Sequence, residues 1–75
     1  MASEERVVVE IGFDGGQIMG ARLTNASADE LERALRDGSD GAVMLDADDG
    51  RYLVPLRRVV YVKRFAREAR LGFSG

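Results

Sequence analysis

The stretch Ala42–Phe65, which reads AVMLDADDGRYLVPLRRVVYVKRF, limits the fold more than any other part of the chain. Its first two apolar runs flank Asp49-Gly50. An Asp-Gly pair between such runs is typical of a hairpin, because glycine adopts positive φ without steric cost. The second run stops at Pro55, which lacks a backbone donor and suits an edge strand or a strand end. We therefore expect a hairpin, a turn at 56–58 and a last strand at the centre of a sheet.

The opening run of this stretch, Ala42–Leu45, contains only apolar residues. A continuous apolar run predicts a strand that is covered on both faces, whereas alternation predicts one covered face. Alternation is what the N-terminal part shows, where every second residue from Val7 to Phe13 is apolar. A turn at Asp14–Gly16 then predicts a hairpin whose second strand runs to Leu23.

One helix is predicted between these two hairpins. Ser27 and Glu30 have the spacing of a capping box, in which each side chain bonds the backbone of the other residue. The apolar stripe that follows is narrow, and Gly38 is expected to end a helix of about nine residues. So short a helix needs a sheet to pack against. The stripe comprises Ala28, Leu31, Ala34 and Leu35.

These elements predict an α+β fold with a small antiparallel sheet of five strands, one short helix and the order β-β-α-β-β-β. Sequential pairing of the strands is the simplest assembly. A sixth short strand at Leu71–Phe73 is an alternative for the tail, and one helical turn at Ala66–Arg70 is another. We expect residues 1–5 to be a disordered lead-in and residues 6–75 to be a single α+β domain.

The size of the chain limits how it gains stability. A core in 75 residues supplies only about 3–5 kcal/mol unless something reinforces it. The chain has no cysteine and no histidine, so disulfides and thiolate metal sites are excluded and the commonest metal ligand is absent. Self-association is then the remaining way to bury more apolar surface. The acidic N-terminus and the lack of a long apolar run indicate a soluble, cytoplasmic protein that does not bind membranes.

Charge is divided unevenly along the chain. Residues 1–50 have a net charge of −8 and residues 51–75 a net charge of +6, which together give the overall −2. Such asymmetry is typical of a site for an anionic partner, although the two regions can also attract each other within the fold. The cationic cluster that we predict as a partner-binding site comprises Arg57, Arg58, Lys63, Arg64, Arg67 and Arg70.

Two aromatic residues, Tyr61 and Phe65, are interleaved with this cluster. Exposed aromatics stack on bases, so the cluster also fits a nucleic-acid interface. We expect Tyr61 and Phe65 to be core-packing or interface residues instead, because one face of their strand has to be core. The structural alternative for the arginines is ion pairing with the acidic face of the helix, in the same or a neighbouring protomer.

No catalytic, metal or cofactor motif is present. The usual nucleophile–base pairs need histidine or cysteine, and the carboxylate pairs belong to a predicted cap and a turn. The DADDG run at 46–50 starts like a calcium loop, but Arg51 and Arg57 occupy the positions where glycine and glutamate are required. The glycines at 12–20 match no phosphate-binding motif. We therefore expect neither an enzyme, nor a cofactor, nor a metal site.

Several short motifs resemble a family of small, functionally uncharacterised actinobacterial proteins of about this length. They are a V-x-I strand (Val9, Ile11), the S-A-D-E-L-E helix start at Ser27–Glu32, a D-x-G turn before a strand that ends Val54-Pro55, Tyr61-Val62, and L-G-F at 71–73. The chain departs from the family at Lys63-Arg64, where the family tends to be acidic, and in its Gly-rich first turn. The resemblance implies a compact cytoplasmic α+β domain and no activity.

Three functional hypotheses follow. The first is a small non-enzymatic interaction domain that self-associates, with a dimer favoured, or binds a protein partner. The second is a nucleic-acid-binding module that uses the cationic cluster. The third is a small-ligand or nucleotide-binding domain with a pocket between helix and sheet.

Overall fold

The computed structural model describes residues 5–66, which form one five-stranded antiparallel sheet and one helix. The α+β fold class and the order β-β-α-β-β-β are thus confirmed. The predicted features of the tail, a helical turn or a sixth strand, lie outside the described residues. The elements are β1 (Arg6–Phe13), β2 (Ile18–Thr24), α1 (Asn25–Arg36), β3 (Ala42–Ala47), β4 (Gly50–Pro55) and β5 (Val59–Arg64), with 3₁₀ turns at Asp14–Gly16 and Leu56–Arg58.

The strands lie in the order β4-β3-β2-β1-β5, so the last strand is at an edge of the sheet. The prediction of sequential pairing is wrong for β5, and so is its central position. β5 pairs antiparallel with β1, where Val62 lies opposite Ile11. This pairing gives β1 two neighbours and adds Val62 to the packing against the core.

The connection between β4 and β5 forces the sheet to curl. Pro55 pairs with Ala42, beyond the level where β1 begins, whereas Val59 pairs with Phe13 at the end of β1. In a flat sheet these two positions would lie roughly 40 Å apart, at ~3.4 Å per residue and ~4.8 Å per strand. The link 56–58 spans at most about 14 Å. The β3–β4 hairpin therefore folds back over the side of the sheet that carries the core, which we call the inner face.

The core lies between this inner face and α1. Alternate residues of every long strand point inward, as the alternation in the sequence predicts for β1. The helix contributes Ala28 and Leu31, with Ala34 and Leu35 partly buried beside them, as predicted. The buried apolar residues are Val9, Ile11, Leu23, Ala28, Leu31, Val43, Leu45, Val54 and Leu56.

β3 is covered on one face only, so the prediction of a strand covered on both faces is wrong. Val43 and Leu45 are buried, but Met44 between them is 50% exposed. The composition of the run Ala42–Leu45 does not distinguish a strand that is buried on both faces from one that is buried on one face. Its outward residue is exposed because no described element packs on that side of β3.

The helix begins at Asn25, and its N-cap lies three residues before the predicted cap. Thr24 is the N-cap, and its hydroxyl accepts a hydrogen bond from the Ser27 N–H at 3.0 Å. Ser27 is thus inside the first turn, and its hydroxyl instead accepts from the Asp46 N–H of β3 at 2.9 Å. The predicted Ser27–Glu30 box is therefore wrong: a threonine one turn earlier occupies the cap, and Ser27 joins the helix to the sheet.

The end of the helix agrees with the prediction for Gly38. Its φ of +73° is a conformation that favours glycine, and its N–H donates to the Leu35 carbonyl at 3.1 Å. The Ser39 N–H donates to the Ala34 carbonyl at 3.0 Å, which completes a Schellman motif. The chain then leaves the helix towards β3.

Both hairpins form where they were predicted. In the first, Gly15 and Gly16 adopt positive φ and the Phe13 N–H donates to the Gln17 carbonyl at 2.8 Å. In the second, Ala47 pairs with Gly50 across a two-residue loop of Asp48 and Asp49. Gly50 supplies the positive φ there, so the DADDG run is a turn, as the sequence analysis concluded.

We predict that Thr24→Ala destabilises the fold by about 1 kcal/mol, because the substitution leaves the Ser27 N–H without its acceptor. Urea denaturation followed by circular dichroism measures the free energy of unfolding. Thr24→Ser keeps the hydroxyl and should lose less than half as much. Equal losses in both variants would show that the methyl group, not the cap, matters.

Candidate interaction surface

The side of the sheet that faces away from α1, the outer face, displays large apolar side chains. None of the elements described between residues 5 and 66 packs over it. These side chains form two groups, which we call the hairpin patch and the β1 patch. The hairpin patch is Met44 and Leu53, and the β1 patch is Val8, Ile18, Tyr61 and Phe65.

The hairpin patch results directly from the β3–β4 register. Met44 and Leu53 lie opposite each other in the ladder, and Leu53 is 66% exposed. The next outward pair is Asp46 and Arg51, whose carboxylate and guanidinium approach to 3.2 Å. Two exposed apolar side chains thus lie beside an ion pair near the outer edge of the sheet.

Gly12, which has no side chain, lies at the centre of the β1 patch. A Cβ at this position would clash with the Tyr61 ring, so the ring lies directly over the Gly12 backbone. Ile18 pairs with Gly12 from the other side. The Tyr61 hydroxyl donates to the Glu10 carboxylate at 2.6 Å. This hydrogen bond raises the pKa of Tyr61, because ionisation would break the bond and place a second negative charge beside Glu10.

Phe65 and Lys63 occupy the other end of the β1 patch. The Lys63 ammonium lies 4.5 Å from the centroid of the Phe65 ring, a cation–π contact. The Phe65 N–H donates to the Val8 carbonyl at 2.9 Å, which extends the β1–β5 ladder by one residue. Tyr61 and Phe65 are each 39% exposed. Their predicted role in core packing is therefore wrong, and their role at an interface stays a prediction.

The predicted cationic cluster is not gathered on one surface. Arg64 points to the inner side, where its guanidinium lies 2.9 Å from Asp29 and 3.2 Å from Glu32 of α1. Its side chain is 31% exposed. Hydrogen bonds to these carboxylates raise the pKa of Arg64, although partial burial opposes the shift. Arg64 thus forms the predicted alternative contact, an ion pair with the acidic face of the helix.

The other described members of the cluster differ in position. Arg58 pairs with Asp14 of the first turn at 3.5 Å. Arg57, beside it in the 3₁₀ turn, is exposed. Lys63 is on the outer face, so it lies on the side of β5 opposite Arg64. Arg67 and Arg70 lie outside the described residues.

A second set of ion pairs attaches the β3–β4 hairpin to the rest of the sheet. Asp48 in the hairpin loop lies 3.4 Å from Arg6 and 3.3 Å from Arg22. Its backbone N–H also donates to the Arg22 carbonyl at 3.1 Å. Asp49 accepts a hydrogen bond from the Tyr52 hydroxyl at 2.8 Å, which raises the pKa of Tyr52. The carboxylates of the DADDG run therefore bind neighbouring side chains of this chain.

Sequence reasoning missed the hairpin patch. Met44 was assigned to a strand buried on both faces, and Leu53 was given no role. The observed loop at 48–49 fixes which residues of both strands face outward, whereas the Asp49-Gly50 pair in the sequence indicates a turn one residue later. Ile18 also faces outward, and nothing in the local sequence indicates that it lies next to Gly12 and Tyr61.

Two shallow depressions mark the described surface. One, of about 310 Å³, lies where β1 and α1 begin and β5 ends, and is lined about equally by polar groups, as at Arg6 and Arg64, and by apolar ones, as at Phe65. The other, of about 450 Å³, lies beside the hairpin loop and is lined mainly by Asp46, Asp48 and Arg51. Small-molecule sites are mostly apolar and enclosed, so neither depression has the usual character of one. Between helix and sheet, Ala28 and Leu31 of α1 are buried in the same cluster as the inward residues of the strands.

Within residues 5–66, no three metal-ligating side chains lie close enough together to hold an ion. In the same range, α1 is too short and too polar to cross a bilayer.

We predict that Glu10→Gln lowers the pKa of Tyr61 towards the ordinary value near 10, because a weaker hydrogen bond to an amide replaces the one to the carboxylate and the neighbouring negative charge is removed. Tyrosinate absorbance measures the titration, and a Tyr52→Phe background leaves Tyr61 as the only tyrosine. The raised folded-state pKa implies stability that is complete below the unfolded-state pKa and is lost as pH rises through the folded-state value. An unchanged titration in Glu10→Gln would contradict the assigned hydrogen bond.

We also predict a coupling of about 0.5–1 kcal/mol between Arg64 and Glu32 in a double-mutant cycle to alanine, since this ion pair is only partly exposed. Urea denaturation measures it, and the coupling should decrease at high salt. The more exposed pair Arg58–Asp14 is the matched control, with a coupling close to zero. Equal coupling free energies in both cycles would mean that the Arg64–Glu32 pair contributes no more stability than an exposed ion pair.

A search of protein-family models gave no match to this chain, and neither did searches of curated proteins and of solved structures.

Proposed function

We propose that this chain is a small non-enzymatic interaction domain that self-associates, with a dimer as the favoured state. The observation that carries the proposal is the set of large apolar side chains on the outer face. Exposed apolar residues are common singly, but adjacent ones indicate an interaction surface. Met44 and Leu53 are adjacent across the β3–β4 ladder, and Ile18 and Tyr61 flank Gly12.

The small core supports a second copy as the occupant of this surface. A domain of this length buries only about 60–65% of the surface that its unfolded chain exposes, so its stability is marginal without reinforcement. The sequence contains no disulfide or thiolate metal site. Burial of the outer patches against another copy would supply further apolar area.

The non-enzymatic part of the proposal rests on the available chemistry. The sequence lacks histidine and cysteine. The carboxylates Asp46 and Asp48 are in ion pairs, and Glu10 accepts from Tyr61, so structural contacts account for these acidic groups. The acidic, cysteine-free sequence also supports a cytoplasmic location, and the short motifs support membership of the actinobacterial family.

The alternative hypotheses have less support. A nucleic-acid interface needs its cations on one surface, and Arg64 and Lys63 lie on opposite sides of β5. A small-ligand site needs an enclosed apolar pocket, which the two depressions do not provide. A different protein on the outer face is the remaining alternative to a second copy.

Sedimentation equilibrium and light scattering from micromolar to millimolar concentration test the proposal. We expect the average mass to rise from that of one chain to that of two. Amide chemical shifts measured over the same range should move at outer-face residues and not around α1. Mobility-shift assays at low salt and thermal shift against a nucleotide panel test the alternatives in parallel. A chain that stays monomeric throughout and binds no other protein would contradict the proposal.

A further inference from the structure

The free edge of β4 presents a defined set of backbone groups. The Leu56 N–H donates to the Gly41 carbonyl at 2.8 Å, and this bond continues the register that pairs Val43 with Val54. Hydrogen-bonded residues alternate along an antiparallel strand. The even-numbered residues of β4 therefore point their backbone groups towards β3. Arg51, Leu53 and Pro55 point theirs away from the sheet, where the described part of the chain supplies no strand.

This alternation explains why proline is tolerated at position 55. The backbone donor that proline lacks would have pointed to the free edge, so its absence costs no bond in the β3–β4 ladder. The free edge then offers N–H groups at Arg51 and Leu53, and carbonyl groups at Arg51, Leu53 and Pro55. An added strand has to match this set.

We propose that β4 pairs antiparallel with β4 of a second copy, around a two-fold axis at Leu53; this inference rests on the self-association proposed above. In this register the Leu53 N–H of each copy donates to the Leu53 carbonyl of the other. The Arg51 N–H of each copy donates to the Pro55 carbonyl of the other. Four hydrogen bonds form. Because Pro55 has no N–H, only the Arg51 carbonyl of each copy, at the solvent-exposed end of the ladder, is left without a partner.

The side chains fit the same register. On the outer face the two Leu53 side chains are directly opposite, and each has Met44 beside it, so the two hairpin patches become continuous. On the inner face Tyr52 lies opposite Val54 of the second copy. Arg51 lies opposite Pro55, far from the second Arg51, and its charge is already paired with Asp46. No like charges oppose each other across the ladder.

The other free edge, β5, fits a second copy less well. The Phe65 N–H bonds to Val8 of β1, so the outward backbone groups of β5 belong to Val62 and Arg64. Pairing around Val62 would place the two Lys63 side chains diagonally opposite on one face, with like charges within reach of each other. Pairing β4 with β5 of another copy would be head-to-tail, which gives a closed ring or an open filament depending on the rotation between copies.

Charge reversal at position 53 tests this register. Leu53→Lys and Leu53→Glu each place like charges directly opposite across the two-fold axis. We expect each variant alone to dimerise about tenfold more weakly, or worse, than the original chain. An equimolar mixture should recover the dimer as a heterodimer, because opposite charges then face each other. Val60→Lys is the matched control, since Val60 is similarly exposed, at 65%, but belongs to β5.

Each variant is first checked by circular dichroism and thermal unfolding, and its dimerisation is then measured by sedimentation equilibrium. Normal dimers in both single variants would overturn the β4 edge while self-association through another surface stands. Loss of the dimer without recovery in the mixture would overturn the register at Leu53. Equal loss in Val60→Lys would overturn the site, because added charge alone would then be the cause. A monomeric original chain would overturn both this inference and the proposed self-association.

Discussion

The three-residue connection 56–58 is the constraint on which the rest of this fold depends. It joins the two edge strands of one sheet over a distance that a flat sheet could not close. The sheet therefore curls, and the curl encloses Val43 and Val54 of one hairpin with Val9 and Ile11 of the other. The inward-pointing residues of each strand form the core on the curled inner face, so the residues between them point outward. The outer patches are thus a consequence of the short connection as much as of the apolar sequence.

Local chemistry allowed most of the elements to be predicted. Asp-Gly turns, strand alternation and the stop at Gly38 depend on residues within one turn or one strand. Three of the errors concern choices that tertiary structure decides. β5 pairs with β1 instead of β4, Thr24 is the cap while the Ser27 hydroxyl bonds β3, and Met44 is exposed because no described element covers that face of β3. The candidate site could not be predicted for the same reason: it consists of outward residues from different strands.

Part of the charge of the chain forms ion pairs between elements of the described fold. Asp48 binds Arg6 and Arg22 and so attaches the second hairpin to the first two strands. Arg64 binds Asp29 and Glu32 and so attaches the last strand to the helix. Individually such pairs contribute little stability. Their positions connect elements that share few backbone bonds, and the pairs Arg51–Asp46, Arg58–Asp14 and Arg64–Asp29 join cations of residues 51–75 to carboxylates of residues 1–50.

The β1–β5 ladder has a consequence for the order of assembly. The Tyr61–Glu10 hydrogen bond across it joins residues 51 positions apart, whereas each hairpin joins residues that are close in the chain. Closing such a long loop costs more chain entropy than closing a hairpin. A topology whose closing ladder joins the first and last strands has a high contact order, and high contact order is associated with slow folding. While that ladder is open, β1 and β5 are both unpaired edges, and the fold is then most exposed to pairing between the wrong chains.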